Sequence, residues 1–338
     1  MAVSSVQEAF VEFEGTAVRV PARQNERAKA VHPQIRAAVQ SDLGPLFADA
    51  YLAGSYARRV QTVRLKDIDI IIVLNDPEGS FAASALAALE RLRAAAHSCE
   101  LVVGSTLGVR AVKTDMKDEE FTVDLVAALN DRSGEVRLAR YLPEEGKDDW
   151  TSARPKAQLE AGTKKNADTD GVYVPGVRIE KFWNQRLGDG ETNLLPSYLV
   201  ESMLFHAMSA PCEFAEASAA FFGSAVNHLG TARPTVPCPG DPNNFVDERL
   251  EDDRRLRALA AVQEALTHVE AAEAASDVGE ALDAWAQIYG PAFPAPCNDS
   301  DSLAKALKKG TAVASGTSIP SSGEGRPIIR SRSHRQDG

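Results

Sequence analysis

The sequence predicts an α+β fold, a mixed sheet with helices followed by a mostly α-helical second lobe. Three observations lead there. Between Tyr51 and Asn75, YLAGSYARRVQTVRLKDIDIIIVLN, a Gly-Ser turn precedes an Asp-Ile-Asp that opens a β-branched apolar run, the composition of a buried strand. Strand-like and helix-like segments then alternate to about residue 128, whereas from Pro155 onward the apolar spacing is helical. With 338 residues, 44% hydrophobic and 25% charged, the chain has room for two lobes.

Residues 1 to 42 read as helical: Val6, Phe10 and Phe13 share one face, and a second segment from about Arg23 to Leu43 carries Ala28, Val31, Ile35 and Val39. These helices are expected to pack across both lobes. Ala50 to Ala53 read as a short strand, Gly54-Ser55 as a turn, and Tyr56 to Val60 as the start of a helix whose amides face an anion. After the Asp67 strand, Asn75-Asp76-Pro77 turns the chain into SFAASALAALERLRAAAH, a helix opened by a capping Ser80. Glu100 to Val103, Gly108 to Lys113 and Glu119 to Ala128 are expected strands, with Asp124 on the last. Helices follow in PKAQLEAGTKKNAD, GVRIEKFWNQRL, PSYLVESMLFHAM, CEFAEASAAFFGSAVNHL and the charged stretch after Glu248. The expected division is 1–150, 151–308 and a Gly-, Ser- and Pro-rich tail, 309–338, that is disordered.

Composition excludes several classes. The formal net charge of −11 argues against gripping long nucleic acid, which needs clustered Lys and Arg, while small metal-bound nucleotides stay compatible. Cys99, Cys212, Cys238 and Cys297 are scattered without a Cys-x-x-Cys pair, so neither zinc nor a disulfide framework is indicated and a cytoplasmic location is expected. No apolar signal core or long apolar run points to secretion or to a membrane.

The chemistry concentrates at Asp67 and Asp69, two apart and therefore on one face of an extended strand. Two carboxylates beside a core repel each other unless cations neutralise them, and hard oxygen ligands select Mg²⁺ or Mn²⁺. With Asp124 on a neighbouring strand, the set suits two ions and phosphoryl transfer, Asp124 accepting the proton of an attacking hydroxyl. An Asp-x-Asp alone is mostly a strand end; the preceding Gly-Ser turn makes the pattern specific.

Gly54-Ser55 followed by Asp67-Ile68-Asp69, with Asp124 as third carboxylate, resembles the polymerase-β-type nucleotidyltransferase superfamily. DLVAAL at 124 to 129, Pro155, VRIEKFWNQ at 177 to 185 and PSYLVESM at 196 to 203 resemble the CD-NTases of CBASS anti-phage systems, bacterial relatives of cyclic GMP-AMP synthase, over roughly residues 5 to 290. The resemblance implies a nucleotidyltransferase core, a helical nucleotide-binding lobe and synthesis of a cyclic di- or oligonucleotide from ribonucleoside triphosphates (ATP, with UTP or GTP). It also implies that Gly54 and Ser55 meet donor phosphates and that Lys181 and Ser197 bind the triphosphate from the other lobe. Where relatives place Gly-Thr after the Arg, this chain has Arg59 and Val60.

Each residue has a plainer alternative: Lys181 as a solvated helix lysine, Ser197 as an N-cap, Tyr198 as core instead of a base-stacking ring. Asn166 is expected to face a nucleotide base, its carboxamide matching the edge of uracil, against the alternative of a helix-ending Asn in KKNADTDG. In some CBASS systems a companion protein joins the synthase's C-terminus to a target, which draws attention to Gly338. Competing functions are a tRNA-end-adding or aminoglycoside-modifying nucleotidyltransferase and a non-catalytic nucleotide-binding module.

Overall fold

The structure is a computed structural model that describes residues 3–131, 135–188, 192–231 and 234–294. The expected tail with Gly338, and the stretch 295–308 before it, lie outside the described residues, which belong to one compact unit, Met1–Pro296.

Ser5 opens α1 (Val6–Phe13) by accepting the Glu8 amide at 3.1 Å, and α2 (Ala22–Leu43) buries all four positions that its periodicity singled out, Ala28, Val31, Ile35 and Val39. The chain then enters β1 (Phe47–Ala53), a single helical turn α3 (Gly54–Ala57), and β2 (Asp67–Leu74). The helix expected from Tyr56 to Val60 is thus earlier and shorter, because Arg59 takes a left-handed φ of 62° that ends it.

The expected single helix from Ser80 divides into α4 (Ser80–Ala83) and α5 (Ala85–Ala96). Its cap is Ser84, not Ser80: Ser84 is extended and its hydroxyl accepts the Ala87 amide, while the Asp148 carboxylate accepts the Ser84 hydroxyl and the Leu86 amide. A carboxylate 62 residues further on in sequence sets the break, which local periodicity cannot register.

The strands β3 (Val102–Leu107), β4 (Ala111–Met116) and β5 (Thr122–Asn130) begin two or three residues later than expected. A hairpin that the sequence did not announce follows, β6 (Val136–Leu142) and β7 (Lys147–Ala153). The sheet runs β1-β2-β5-β4-β3, with β6 pairing β5 and β7; β2 and β5 are parallel and the other pairs antiparallel. Ile68, Ile70, Ile72 and Leu74 of β2 pack with α2 and α5, while Ile71 and Val73 pack on the opposite face with Val126 and Leu138. Asp67 and Asp69 share this second face, at the strand's start.

The remaining elements are α6 (Pro155–Asp168), α7 (Tyr173–Arg186), α8 (Ser197–Ala207), α9 (Phe214–Gly230), a small β8 (Pro237–Cys238) and β9 (Asp241–Phe245) pair, α10 (Asp252–Glu273) and α11 (Val278–Tyr289). Helices α7 to α11 share an aromatic core that also takes in α1: the Phe10 ring meets Trp285 edge-on at 5.0 Å, and Phe13 meets Phe182 at 5.3 Å. The N-terminal segment therefore does pack across both cores, α1 with the helices and α2 with the sheet. Among the described residues no helix is long and apolar enough to cross a membrane.

Candidate active site

The site forms where β1 hands over to β2. Ala53 pairs with Asp69, so the backbone of Gly54, at a φ of 63°, lies against that carboxylate: a Cβ there would stand 1.7 Å from Asp69 Oδ2. Only glycine satisfies both constraints. Parallel pairing of β2 with β5 places Asp69 directly beside Asp124, and strand alternation adds Asp67 to the same face. Asp124 accepts the Thr122 hydroxyl at 3.1 Å and stands across from Lys113 of β4.

Desolvation, then repulsion from Asp67 and Asp124, pushes the Asp69 pKa up to about 6, with Arg58 opposing. Desolvation and Asp67 likewise raise Asp124, which the Thr122 hydrogen bond and Lys113 partly offset. Three carboxylates on one face, two of them with raised proton affinity, fit hard divalent cations by the chemistry of the donor set. Among the described residues no group of three His, Cys, Asp or Glu side chains is placed so as to hold a metal ion as it stands.

Two cavities meet at this face. The first, about 290 Å³, is lined by Gly54, Ser55, Asp67, Asp69, Lys181, Ser197 and Tyr198, so the fold gathers seven of the sequence-predicted residues around one space. The second, about 560 Å³, is lined by Asp124, Lys113, Arg110 and apolar Ile71, Val126 and Leu138. Gly54, Arg58, Asp69 and Tyr198 border both.

Lys181 is buried, not solvated: its ammonium donates to the Val60 carbonyl at 3.2 Å and stands 3.7 Å from Glu201. Burial lowers its pKa, with Glu201 opposing and Arg58 reinforcing. Ser197 is the first residue of α8 and Pro196 occupies the cap; the Ser197 hydroxyl accepts from Asn193 at 2.9 Å instead. Tyr198 carries the Arg58 guanidinium 4.8 Å from its ring centroid, so one face of the expected base platform is already covered.

Asn166 lies elsewhere. It lines a third cavity with Arg59 and Arg178, and its side-chain oxygen accepts the Val174 amide at 2.9 Å. The chain reverses after α6 through Asp170 and Gly171, both at positive φ, and the first turn of α7 needs an acceptor that Asn166 supplies. Asn166 thus lies inside the last turn of α6 and serves the start of α7, which is neither the helix-ending role nor contact with a base in either of the first two cavities.

The residues that sequence reasoning passed over are Arg58 and Glu201. The Arg58 guanidinium grips the Glu201 carboxylate through two bonds, 2.7 and 3.2 Å, joining the Gly-Ser turn to α8. A cation next to the Gly-Ser turn was visible in the chain; its partner 143 residues away was not.

No family model matches the chain. It is 24% identical over 167 residues to a "Probable cyclic AMP-AMP-GMP nucleotide synthase" of Salmonella paratyphi B, covering 46% of this chain and 42% of that protein. The match thus spans less than half the length of the curated relatives. Among solved structures, apo DncV of Vibrio cholerae superposes with a TM-score of 0.69 at 11% identity, over 86% of this chain and 96% of that one. The CD-NTase CdnG of Bradyrhizobium diazoefficiens, in complex with GTP, gives 0.66 at 15% identity, over 85% and 97%. The chain has the CD-NTase fold. The two cavities lie between the sheet and helices α6 to α8.

Proposed function

We propose that this protein is a metal-dependent nucleotidyltransferase that joins ribonucleoside triphosphates into a cyclic oligonucleotide, releasing pyrophosphate. The observation that carries the reading is the register of β2 and β5, which sets Asp69 beside Asp124 where two cavities adjoin. Further support comes from what similar proteins are named for: the curated relatives are cyclic AMP-AMP-GMP synthases, and a solved DncV complex holds the linear intermediate pppA(3′,5′)pG.

In this reading Ser55, Lys181 and Arg58 hold the triphosphate of the donor nucleotide in the first cavity. The acceptor occupies the second, its hydroxyl at Asp124, whose raised pKa suits a proton acceptor. Two Mg²⁺ or Mn²⁺ ions, held by Asp67, Asp69 and Asp124, would supply charge neutralisation at the phosphates and a lowered pKa for the hydroxyl. Glu201 keeps the Arg58 guanidinium directed at the border of both cavities. Uracil selection loses its residue, since Asn166 is committed to the α7 backbone; ATP and GTP are the proposed substrates, and anti-phage signalling in the cytoplasm the proposed setting. Incubation with the four α-labelled ribonucleotides and Mg²⁺ or Mn²⁺, followed by phosphatase, should leave label in a cyclic product. Complete loss of label to inorganic phosphate in every metal would refute the reading.

A further inference from the structure

The segment from Arg58 to Lys66 joins two parts of the first cavity, the Gly-Ser turn ahead of it and Asp67 after it, and it lies outside every helix and strand. Arg59 and Arg64 both take left-handed φ values, 62° and 63°, which residues with a Cβ keep only where their surroundings impose them. The end of the segment is the sensitive part. Pairing of β1 with β2 runs back only as far as Asp69, so Asp67 pairs with Thr122 of β5 and has no β1 partner among the described residues. Where Asp67 stands therefore depends on the segment that leads into it.

Helix α7 holds that segment. Arg178, Lys181 and Gln185 are three and four residues apart and so share one face of the helix. The Arg178 guanidinium donates to the Arg59 carbonyl at 2.9 Å, the Lys181 ammonium to the Val60 carbonyl at 3.2 Å, and the Gln185 side-chain amide to the Thr62 hydroxyl at 2.8 Å. Each turn of the helix thus takes the next part of the segment in order. Arg178 is itself fixed from behind, its Nε donating to the buried Glu14 carboxylate at 2.7 Å. It lines the third cavity and not the first two, so it acts on the reaction through the backbone it holds and not by touching a nucleotide.

We infer that Arg178 and the Thr62–Gln185 pair are positioning residues for nucleotidyl transfer: they strap the segment to α7 and thereby fix where Asp67 stands relative to the donor phosphates. The inference rests on the proposed function and deepens it. The Gly-Ser turn and Arg58 have supports of their own, the close approach of Gly54 to Asp69 and the bonds to Glu201, so a loosened strap displaces Asp67 more than the groups proposed to bind the triphosphate. The loss then falls on the chemical step and not on nucleotide affinity.

Two readouts on the same preparations test this: amide hydrogen exchange over residues 58–66, and steady-state pyrophosphate release with ATP, GTP and Mg²⁺. Arg178→Met and Thr62→Val should each speed exchange of the segment by at least about tenfold and lower kcat by roughly 10- to 30-fold, with the KM for ATP within about threefold of the wild type's. Thr62→Ser keeps the hydroxyl and should stay within about threefold of the wild type in both readouts. Glu14 retains Arg19 as a partner in Arg178→Met, its carboxylate accepting Arg19 Nε at 3.2 Å. Should that variant still melt below the assay temperature, Arg178→Lys takes its place with the same expected losses, since it keeps a cation beside Glu14 without the fork that also reaches Arg59. Unchanged exchange in either variant, faster exchange with kcat close to the wild type's, or a KM that rises while kcat holds would each overturn the inference. Faster exchange in both variants, with no pyrophosphate released by the wild type, would leave the strap standing and remove the proposed function.

Discussion

Gly54→Ala tests the most exacting contact in the site. The added Cβ would stand 1.7 Å from Asp69 Oδ2 and 2.6 Å from its Cγ, so the carboxylate has to retreat by well over 1 Å. Asp69 cannot retreat freely, since its strand is paired on one side with β1 and on the other with β5. The left-handed φ of 63° adds a folding cost of about 1–2 kcal/mol for any residue with a Cβ. A misplacement of about 1 Å at a reacting centre is worth about 100-fold, so pyrophosphate release should fall by at least about that factor while the protein stays folded. The assay is pyrophosphate release in saturating ATP, GTP and Mg²⁺, with a circular dichroism melt on the same preparation. An Ala variant within about threefold of wild type would show that the turn does not set the position of Asp69.

Three further outcomes are expected. Asp67→Asn with Asp69→Asn should abolish product and, because it relieves carboxylate repulsion, raise the melting temperature of metal-free protein; retained turnover would disprove the carboxylate site. Glu201→Ala leaves Arg58 and Lys181 buried without their carboxylate and should cost about 3–5 kcal/mol in a urea titration, whereas a loss under about 1 kcal/mol would deny the pair a structural role. Glu180 is buried between the Ser218 and Tyr289 hydroxyls and its pKa is raised by burial to about 8, so it folds in protonated. A carboxyl with a raised folded pKa stabilises fully below its unfolded value near 4.5 and progressively less up to about pH 8; Glu180→Gln should flatten stability across that window, and parallel pH curves for the two proteins would contradict this.

Much of this protein is a local matter. The β-branched run after Asp67 makes a strand in any context that buries it, strand alternation puts Asp67 and Asp69 on one face, and the 3.6-residue spacing of α2 and of α7 to α10 selects their buried sides. Those periodicities depend only on neighbouring residues, so the fold class and the carboxylate pair were legible in the chain. What the chain could not announce depends on partners distant in sequence. Asp148 cutting the Ser80 helix, Glu201 holding Arg58, and Asp69 setting how close the Gly54 backbone comes are all of this kind. Asn166 shows the same limit from the other side. Its carboxamide could serve a base or a helix start equally well, and the choice went to whichever donor the folded backbone brought within 2.9 Å. A hydrogen-bonding group has chemistry in the sequence and a partner only in three dimensions, which is why residue types were readable and their assignments were decided by tertiary structure.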